Sequence, residues 1–364
     1  MKFTVSRDAI LNALGKGLSI VSTNASLQIL QNVRIQVENG KLWLMTTDLE
    51  VSVRAEMDAE VAQPGATTLP AKKIFSIFKE LTAPEIEIDV DDRYAATIRS
   101  GNSNFRVVGM GPEEFPPMPS FDPARSFSLD QGVFKNMLRK TCYAASTDES
   151  RHILNGNLLS FKDNRLTVVA TDGRRLAMVE SEVEIPQDAE AELVVPTKTV
   201  NELIRVLGDE GPLKIRASQN QVAFELPDLQ VVSKLVDGKF PVFRQVIPQS
   251  SSERVEIERE AFLATVRRAA LMTSDHSRVI KLVFSKNKLE IISSAQDIGE
   301  AKERLPVKYA GKEITISFDP GFLMDCLRAL SQANVYLEFS DELSPGVVKC
   351  DEPFLYVIMP MRTA

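Results

Sequence analysis

The sequence predicts an α+β protein made of three copies of one domain, each with two helices packed on antiparallel sheets. Three observations predict it. A segment that changes from alternating apolar residues to helical spacing occurs three times, at intervals of about 125 residues, a common domain size. A pair of strand-like runs joined by a short polar turn follows it in each copy. A second helix-like run, with a proline near its start, and more strand-rich sequence close each copy.

Taken in order, the first signature is KFTVSRDAILNALGK from Lys2, SFSLDQGVFKNMLRK from Ser126 and RVEIEREAFLATVRR from Arg254, aligned without gaps. Phe3 and Val5, Phe127 and Leu129, and Val255 and Ile257 alternate as a short strand requires. Ile10 and Leu14, Phe134 and Leu138, and Phe262 and Val266 are four apart, as on one helix face. The hairpins are QNVRIQVENGKLWLMTTD, NGNLLSFKDNRLTVVATD and the shorter IKLVFSKNKLEIISS, turning at Asn-Gly, Asp-Asn and Lys-Asn. The second helices are LPAKKIFSIFKEL from Leu69, VPTKTVNELIRVL from Val195 and FDPGFLMDCLRAL from Phe318, their prolines standing where a helix tolerates one. EIEIDVDDRYAATIRS, PLKIRASQNQVAFEL and NVYLEFSDELSPGVVKC end the copies. Connectors rich in Pro and Ser, Gly111–Ser126 and Val246–Arg254, divide the chain into domains at 1–120, 121–250 and 251–364.

A composition of 44% hydrophobic and 26% charged residues is that of a folded chain. The first residues lack a signal-peptide apolar core, and no uncharged run is long enough to span a bilayer. The expectation is a soluble cytoplasmic protein without a membrane partner. Three cysteines, Cys142, Cys326 and Cys350, with no CxxC spacing disfavour both a disulfide framework and a zinc site, and are expected to be buried thiols. No metal or cofactor is expected.

A net charge of −7 argues against a uniformly basic surface, but the charge is unevenly placed. The six helical windows, 7–20, 70–81, 130–145, 197–207, 258–272 and 319–330, hold 14 Lys and Arg against 8 Asp and Glu, a net of +6 that leaves −13 elsewhere. Lys16, Lys140 and Arg268 fall at one repeat position, and Lys79, Arg205 and Arg328 at another. Lys72 and Lys79, like Lys198 and Arg205, are seven apart on one helix face. A single such lysine is ordinarily a solvated residue. Repetition favours symmetry-related helices presented to one polyanion, whose backbone is read, since no base-reading motif occurs.

The stretches MKFTV, PGATTLPAKK, LNGNLLSF, ATDGRRLA, SKLVDGKFP and VIMPMR, in this order and spacing, resemble the bacterial DNA polymerase III beta subunit family, the replicative sliding clamps, over essentially the whole chain. The resemblance implies a head-to-tail homodimer closed into a six-domain ring, with helices lining the hole and duplex DNA passing through. It implies a DNA-facing set of Lys16, Lys72, Lys79, Arg139, Lys140, Arg151, His152, Lys198, Arg205, Arg268 and Arg328. The dimer joint it implies uses Phe105 and Val107 in SNFRVV with Leu271 and Met272 at the end of RRAALM. It also implies a peptide pocket between the second and third domains, formed by Leu154, Thr171, Gly173, Arg174, Arg175, Leu176, Pro241, Val246, Phe322, Leu343, Val357, Ile358, Met359, Pro360, Met361 and Arg362. The partners implied are the polymerase alpha subunit, a clamp loader, translesion polymerases, ligase and mismatch-repair proteins, at a nucleoid-associated location.

The repeats sharpen the pocket reading. Thr171-Asp172 has a twin in Thr47-Asp48, so the pair is expected to serve the fold, whereas LEVSV follows the first and GRRLAM the second. Beyond Tyr356–Ile358, Pro360 ends any ladder, so MPMR is not expected to continue a last strand tucked into the core. The chain departs from the family pattern at Arg174, Ser277, Asn24 and His152-Ile153. An enzyme is the main competing class. Only His152 and His276 are present, no GxSxG, HExxH or Walker A sequence occurs, and Asp172 beside Arg174 and Arg175 has the composition of a structural turn. A repeat scaffold that never encircles DNA is the other competitor, and the helix charge argues against it.

Overall fold

Each of the six predicted helices forms inside its window in the computed structural model, which describes residues 1–21, 27–120, 125–186, 189–274 and 278–362. They are α1 Arg7–Gly17, α2 Ala71–Glu80, α3 Gln131–Arg139, α4 Thr197–Val206, α5 Arg259–Ala270 and α6 Pro320–Ala329. Starts are fixed by side-chain caps where the sequence supplies them. Ser6 accepts the Ala9 N–H, Glu258 those of Glu260 and Ala261, and Asp319 that of Gly321. The apolar stripe is buried in each case, as with Ile10 and Leu14 on α1 and Phe262 and Val266 on α5. The first residue of the first helix in a copy also closes the second helix of that copy. Arg7 donates to the carbonyls of Phe78 and Lys79, and Arg259 to those of Leu327 and Gln332. Gln131 does the same work as an acceptor for the Gly208 N–H.

The described strands pair antiparallel throughout and fall in two compact units. The first, Met1–Gly132 with Asn201–Leu235, holds a five-stranded sheet in the order Glu60–Gln63, Lys2–Ser6, Glu85–Val90, Ala95–Ser100, Ser103–Val108. Its eight-stranded sheet runs Arg125–Asp130, Pro212–Ala217, Gln221–Glu225, Leu229–Lys234, Val51–Asp58, Lys41–Thr47, Asn32–Glu38, Gly65–Pro70. The second unit, Val133–Val200 with Val236–Ala364, has its own eight strands, Ala191–Pro196, Gly156–Lys162, Arg165–Thr171, Arg175–Glu182, Phe354–Ile358, Gly346–Lys349, Asn334–Phe339, Glu253–Glu258. Its four-stranded sheet runs Gly299–Pro306, Lys288–Ala295, Ile280–Ser285, Ile314–Phe318. Each eight-stranded sheet is therefore continuous across two successive sequence repeats, joined where Leu229–Lys234 pairs with Val51–Asp58 and where Arg175–Glu182 pairs with Phe354–Ile358.

The hairpin turns form where their residues demand. Asn39 and Gly40 have φ of +50° and +76°, and Asp163 and Asn164 +52° and +55°, the two left-handed positions of a tight hairpin. Asn287 carries φ +57° in the third copy. The first unit's core joins both helices to its sheets through Phe3, Ile10, Leu14, Ile35, Ile74, Phe78 and Ile88, all at most 1% exposed. The cysteines are free thiols, with Cys326 buried and Cys142 and Cys350 half-buried, so burial is complete only for the first.

Candidate functional site

The turn at Thr171 is closed by its own first two residues. Thr171 Oγ1 accepts the Gly173 N–H at 3.1 Å and donates to the Arg175 carbonyl at 2.6 Å. Asp172 Oδ1 accepts the N–H groups of Arg174 and Arg175 at 2.8 and 3.0 Å. Gly173, at φ +86°, supplies the left-handed residue. The twin turn repeats these bonds. Thr47 Oγ1 accepts the Leu49 N–H and donates to the Val51 carbonyl, while Asp48 Oδ1 accepts from Glu50 and Val51.

What leaves the second turn is an arginine held on both sides. Arg175 reaches Asp172 through Nε at 3.1 Å and Asp325 on α6 through Nη1 at 2.7 Å, and its guanidinium lies 4.3 Å from the centre of the Phe322 ring. Burial works against its charge, but the bond to Asp325, with Tyr356 and Asp172, raises its pKa further, so it is a permanent cation. Tyr356 donates its hydroxyl to the Phe322 carbonyl at 3.0 Å, fixing the start of α6 against the last strand.

Beside this arginine lies an apolar cluster of Leu154, Leu158, Val169, Leu176, Val194, Phe240 and Val357, with Ile153, Met178, Val236, Phe243, Ile247 and Leu355 packed on it. Strand pairing of Leu176 with Val357 brings the two halves of the predicted pocket together. The Met359 N–H then bonds the Arg174 carbonyl at 2.9 Å, and the Met361 N–H that of Ser317 at 2.7 Å, which anchors the tail beyond the ladder. Large apolar side chains stand open to solvent in the same segments: Val242 at 61%, Val246 at 51%, Met359 at 42% and Met361 at 37%. Pro241, Gly173, Arg174 and Arg362 are exposed, and Phe322 and Pro360 half-buried. Thr171, 9% exposed, belongs to the turn. Leu343 is 68% exposed on a separate turn closed by Asp341, outside the cluster. Ile358 differs from expectation. It alternates to the sheet face opposite Val357 and is fully buried, so it lines the core. Sequence reading missed Phe240, Phe243 and Ile247, whose signal was the recurrence of apolar residues between the last strand of the second repeat and the connector and on into it.

The cations of the helices are used unequally. In the first unit Lys72 and Lys79 are exposed on α2, whereas Lys16 pairs with Asp228 at 2.5 Å. Arg205 bonds the Gly15 and Lys16 carbonyls at the end of α1 and pairs with Glu202, which Ser19 also contacts. In the second unit Arg139, His152 and Lys198 are exposed. Arg151 donates to the Asp172 carbonyl, Arg268 pairs with Glu303 at 2.6 Å, and Arg328 lies 3.9 Å from Asp325. Lys140, expected to face outward, is 2% exposed and bonded to Glu352. The reason is structural equivalence: Lys16 with Asp228 and Lys140 with Glu352 are both 212 residues apart, one ion pair repeated in each unit.

At the predicted joint, Ser103–Val108 is an outermost strand. Phe105 is 39% exposed, Val107, two residues on along the same face, is buried at 8% in the first unit's core, and Val108, on the opposite face, is 73% exposed. Leu271, which ends α5, is 71% exposed and Met272 half-buried. Asn24, His276 and Ser277 lie outside the described residues. Among the described residues no group of three or more His, Cys, Asp or Glu could hold a metal, and no helix is long and apolar enough to cross a membrane.

Residues 1–119, 128–242 and 244–362 match the N-terminal, central and C-terminal domain models of the DNA polymerase III beta subunit. The beta sliding clamp of Chlamydia pneumoniae is 36% identical over 362 residues, covering 100% of this chain and 99% of its own, and that of Escherichia coli K12 33% identical with both chains covered in full. The Pseudomonas aeruginosa clamp bound to griselimycin superposes with a TM-score of 0.96 at 32% identity, and the Bacillus subtilis clamp with 0.95 at 28%, each over 100% of both chains.

Proposed function

This chain belongs to the DNA polymerase III beta subunit family, the sliding clamps, and from that premise we propose how its residues perform the family's task. It is a non-catalytic processivity factor of a replicative DNA polymerase. Two copies join head to tail into a ring around duplex DNA, independent of sequence, each copy divided into domains at 1–120, 121–250 and 251–364. The joint uses the exposed strand at Phe105 and the α5 end at Leu271. The exposed cations Lys72, Lys79, Arg139 and Lys198 attract the duplex backbone. Partner proteins dock a short peptide on the cluster around Leu176, Val357 and Arg175: the polymerase alpha subunit, the clamp loader, translesion polymerases, ligase and mismatch-repair proteins. The working location is the cytoplasm, at the nucleoid.

One observation carries the docking reading. The Thr171 turn keeps the hydrogen bonds of its twin but replaces the following residues with an arginine held between two carboxylates, next to an apolar cluster and exposed methionines. Deleting Met359–Ala364 is expected to abolish binding of a polymerase-derived peptide while the dimer persists in sedimentation; unchanged affinity would overturn the docking reading. Encirclement is tested by loading the protein with a clamp loader on a nicked DNA circle and then linearising it. Retention on the circle and loss through the free ends is the expected result, and retention after linearisation would mean ordinary binding.

A further inference from the structure

The first unit holds a cavity of about 310 Å³ lined by Arg34, Gln36, Trp43, Met45, Arg54 and Met118. Its floor is one face of three neighbouring strands: Arg34 is cross-strand from Met45, and Met45 from Arg54, with Gln36 and Trp43 one step along. A displacement of 124 residues turns this rung into Leu158, Val169 and Met178, which pair in the same way in the second unit and belong to the docking cluster. Leu30 likewise corresponds to Leu154, and both clusters contain a buried phenylalanine from the segment that follows the last strand of the repeat, Phe115 in one and Phe240 in the other. The two places are one position of the fold, filled by different chemistry.

The difference defines a ligand. Where the second unit has Leu158 and Met178, the first has two arginines. The Nε of Arg34 is buried with no hydrogen-bond partner, and neither Arg34 nor Arg54 has an ion pair among the described residues. A buried guanidinium donor without an acceptor is unfavourable, and a carboxylate satisfies it with two parallel bonds. The nearby carboxylate of Glu56 is engaged by Trp43 at 3.0 Å and by Lys41 at 3.3 Å. Trp43, Met45 and Met118 supply an indole and two thioethers at the same place.

We propose that this cavity is a second docking site, which takes an acidic, apolar peptide segment of a partner protein, its carboxylate on Arg34 and Arg54 and its adjacent apolar side chain on Met45, Met118 and Trp43. The choice of a peptide rests on the docking reading of the second unit. A polynucleotide fits less well, because the site offers two cations on a sheet face in place of a track of them.

Trp43 is the one tryptophan of the chain, so its fluorescence reports this cavity and not the site around Leu176. The probe is an acetylated hexapeptide alternating aspartate and leucine, titrated into the full-length protein against its asparagine–leucine counterpart and against inorganic phosphate. The expected result is a saturable change in Trp43 emission with the acidic peptide, at least about tenfold weaker with the neutral one and with phosphate. The double variant Arg34→Leu with Arg54→Met, which copies the second unit's rung, loses that response by about tenfold or more and still binds a polymerase-derived peptide through the other site. The deletion of Met359–Ala364 leaves the Trp43 response intact. Absence of a saturable change, an equal response to phosphate, or a response that survives the double variant would each overturn the proposal, and none of them bears on the docking site of the second unit.

Discussion

The turns at Thr47 and Thr171 share the four hydrogen bonds made by their threonine and aspartate side chains and differ in the residues that follow. In the first unit the third residue is Leu49, 47% exposed at φ +76°, and the chain continues into buried Val51. In the second unit the third residue is Gly173 and the chain continues into Arg175, set between Asp172 and Asp325. The comparison separates two tasks within five residues. Threonine and aspartate set the path of the backbone, and the next three residues decide what the turn presents. A leucine held in a left-handed conformation costs about 1 kcal/mol, which the first unit carries. The second unit avoids that cost with glycine and places its charge two residues on.

The largest break in the comparison is expected from removing the shared acid. Asp172→Ala takes from the turn the oxygen that accepts two N–H groups and takes one partner from a largely buried arginine, a loss of about 3 kcal/mol in urea denaturation. Asp48→Ala, which takes away the shared acceptor of the Glu50 and Val51 N–H groups, is expected to lose about 1 to 2 kcal/mol. Arg175→Met is expected to weaken polymerase-peptide binding by about tenfold or more, measured by fluorescence anisotropy, with a smaller change in stability. Exchanging the third residues is subtler. Gly173→Ala should destabilise by about 1 kcal/mol, and its Cβ would stand 3.3 Å from Arg151 Nη1. Leu49→Gly should be neutral or stabilising by a few tenths of a kcal/mol, seen as a small rise in Tm. The smallest effect belongs to the turn at Asp341, whose carboxylate is held below the ordinary aspartate range by the Ser344 hydroxyl and by the N–H groups of Leu343 and Ser344. Its contribution is present above the unfolded pKa and is lost as pH falls through the folded one, so the Leu343 amide resonance should move only in that acid range.

Local pattern made much of the fold legible. Ile10 with Leu14 and Phe262 with Val266 marked helix faces that are buried, and Asn39-Gly40 and Asp163-Asn164 marked the hairpins. Pairing between repeats was not legible, since nothing local in Leu229–Lys234 specifies Val51–Asp58 as its neighbour. Among site residues, Leu176 and Val357 met as the last strand required, but alternation turned Ile358 inward, and Val107 packs into the first unit's core although it shares a strand face with exposed Phe105. A one-residue step decides which face a side chain takes, and spacing alone does not say which face is covered. Lys140 was misplaced for a related reason: a lysine on a helix reads as solvated until its acid, Glu352, arrives from a distant part of the chain.

The repeated ion pair has a further consequence for motion along a polyanion. Lys16, Lys140 and Arg268 are each held by a carboxylate outside the helices, and Arg205 by Glu202 on α4. In the proposed ring, the counterions that a threaded duplex displaces are therefore fewer than all the lysines and arginines of the helices would imply. Association should then fall only gently with ionic strength, and no step along the duplex would have a tight contact to release. In the proposed ring these carboxylates, two of which join successive repeats, would keep friction with the duplex low.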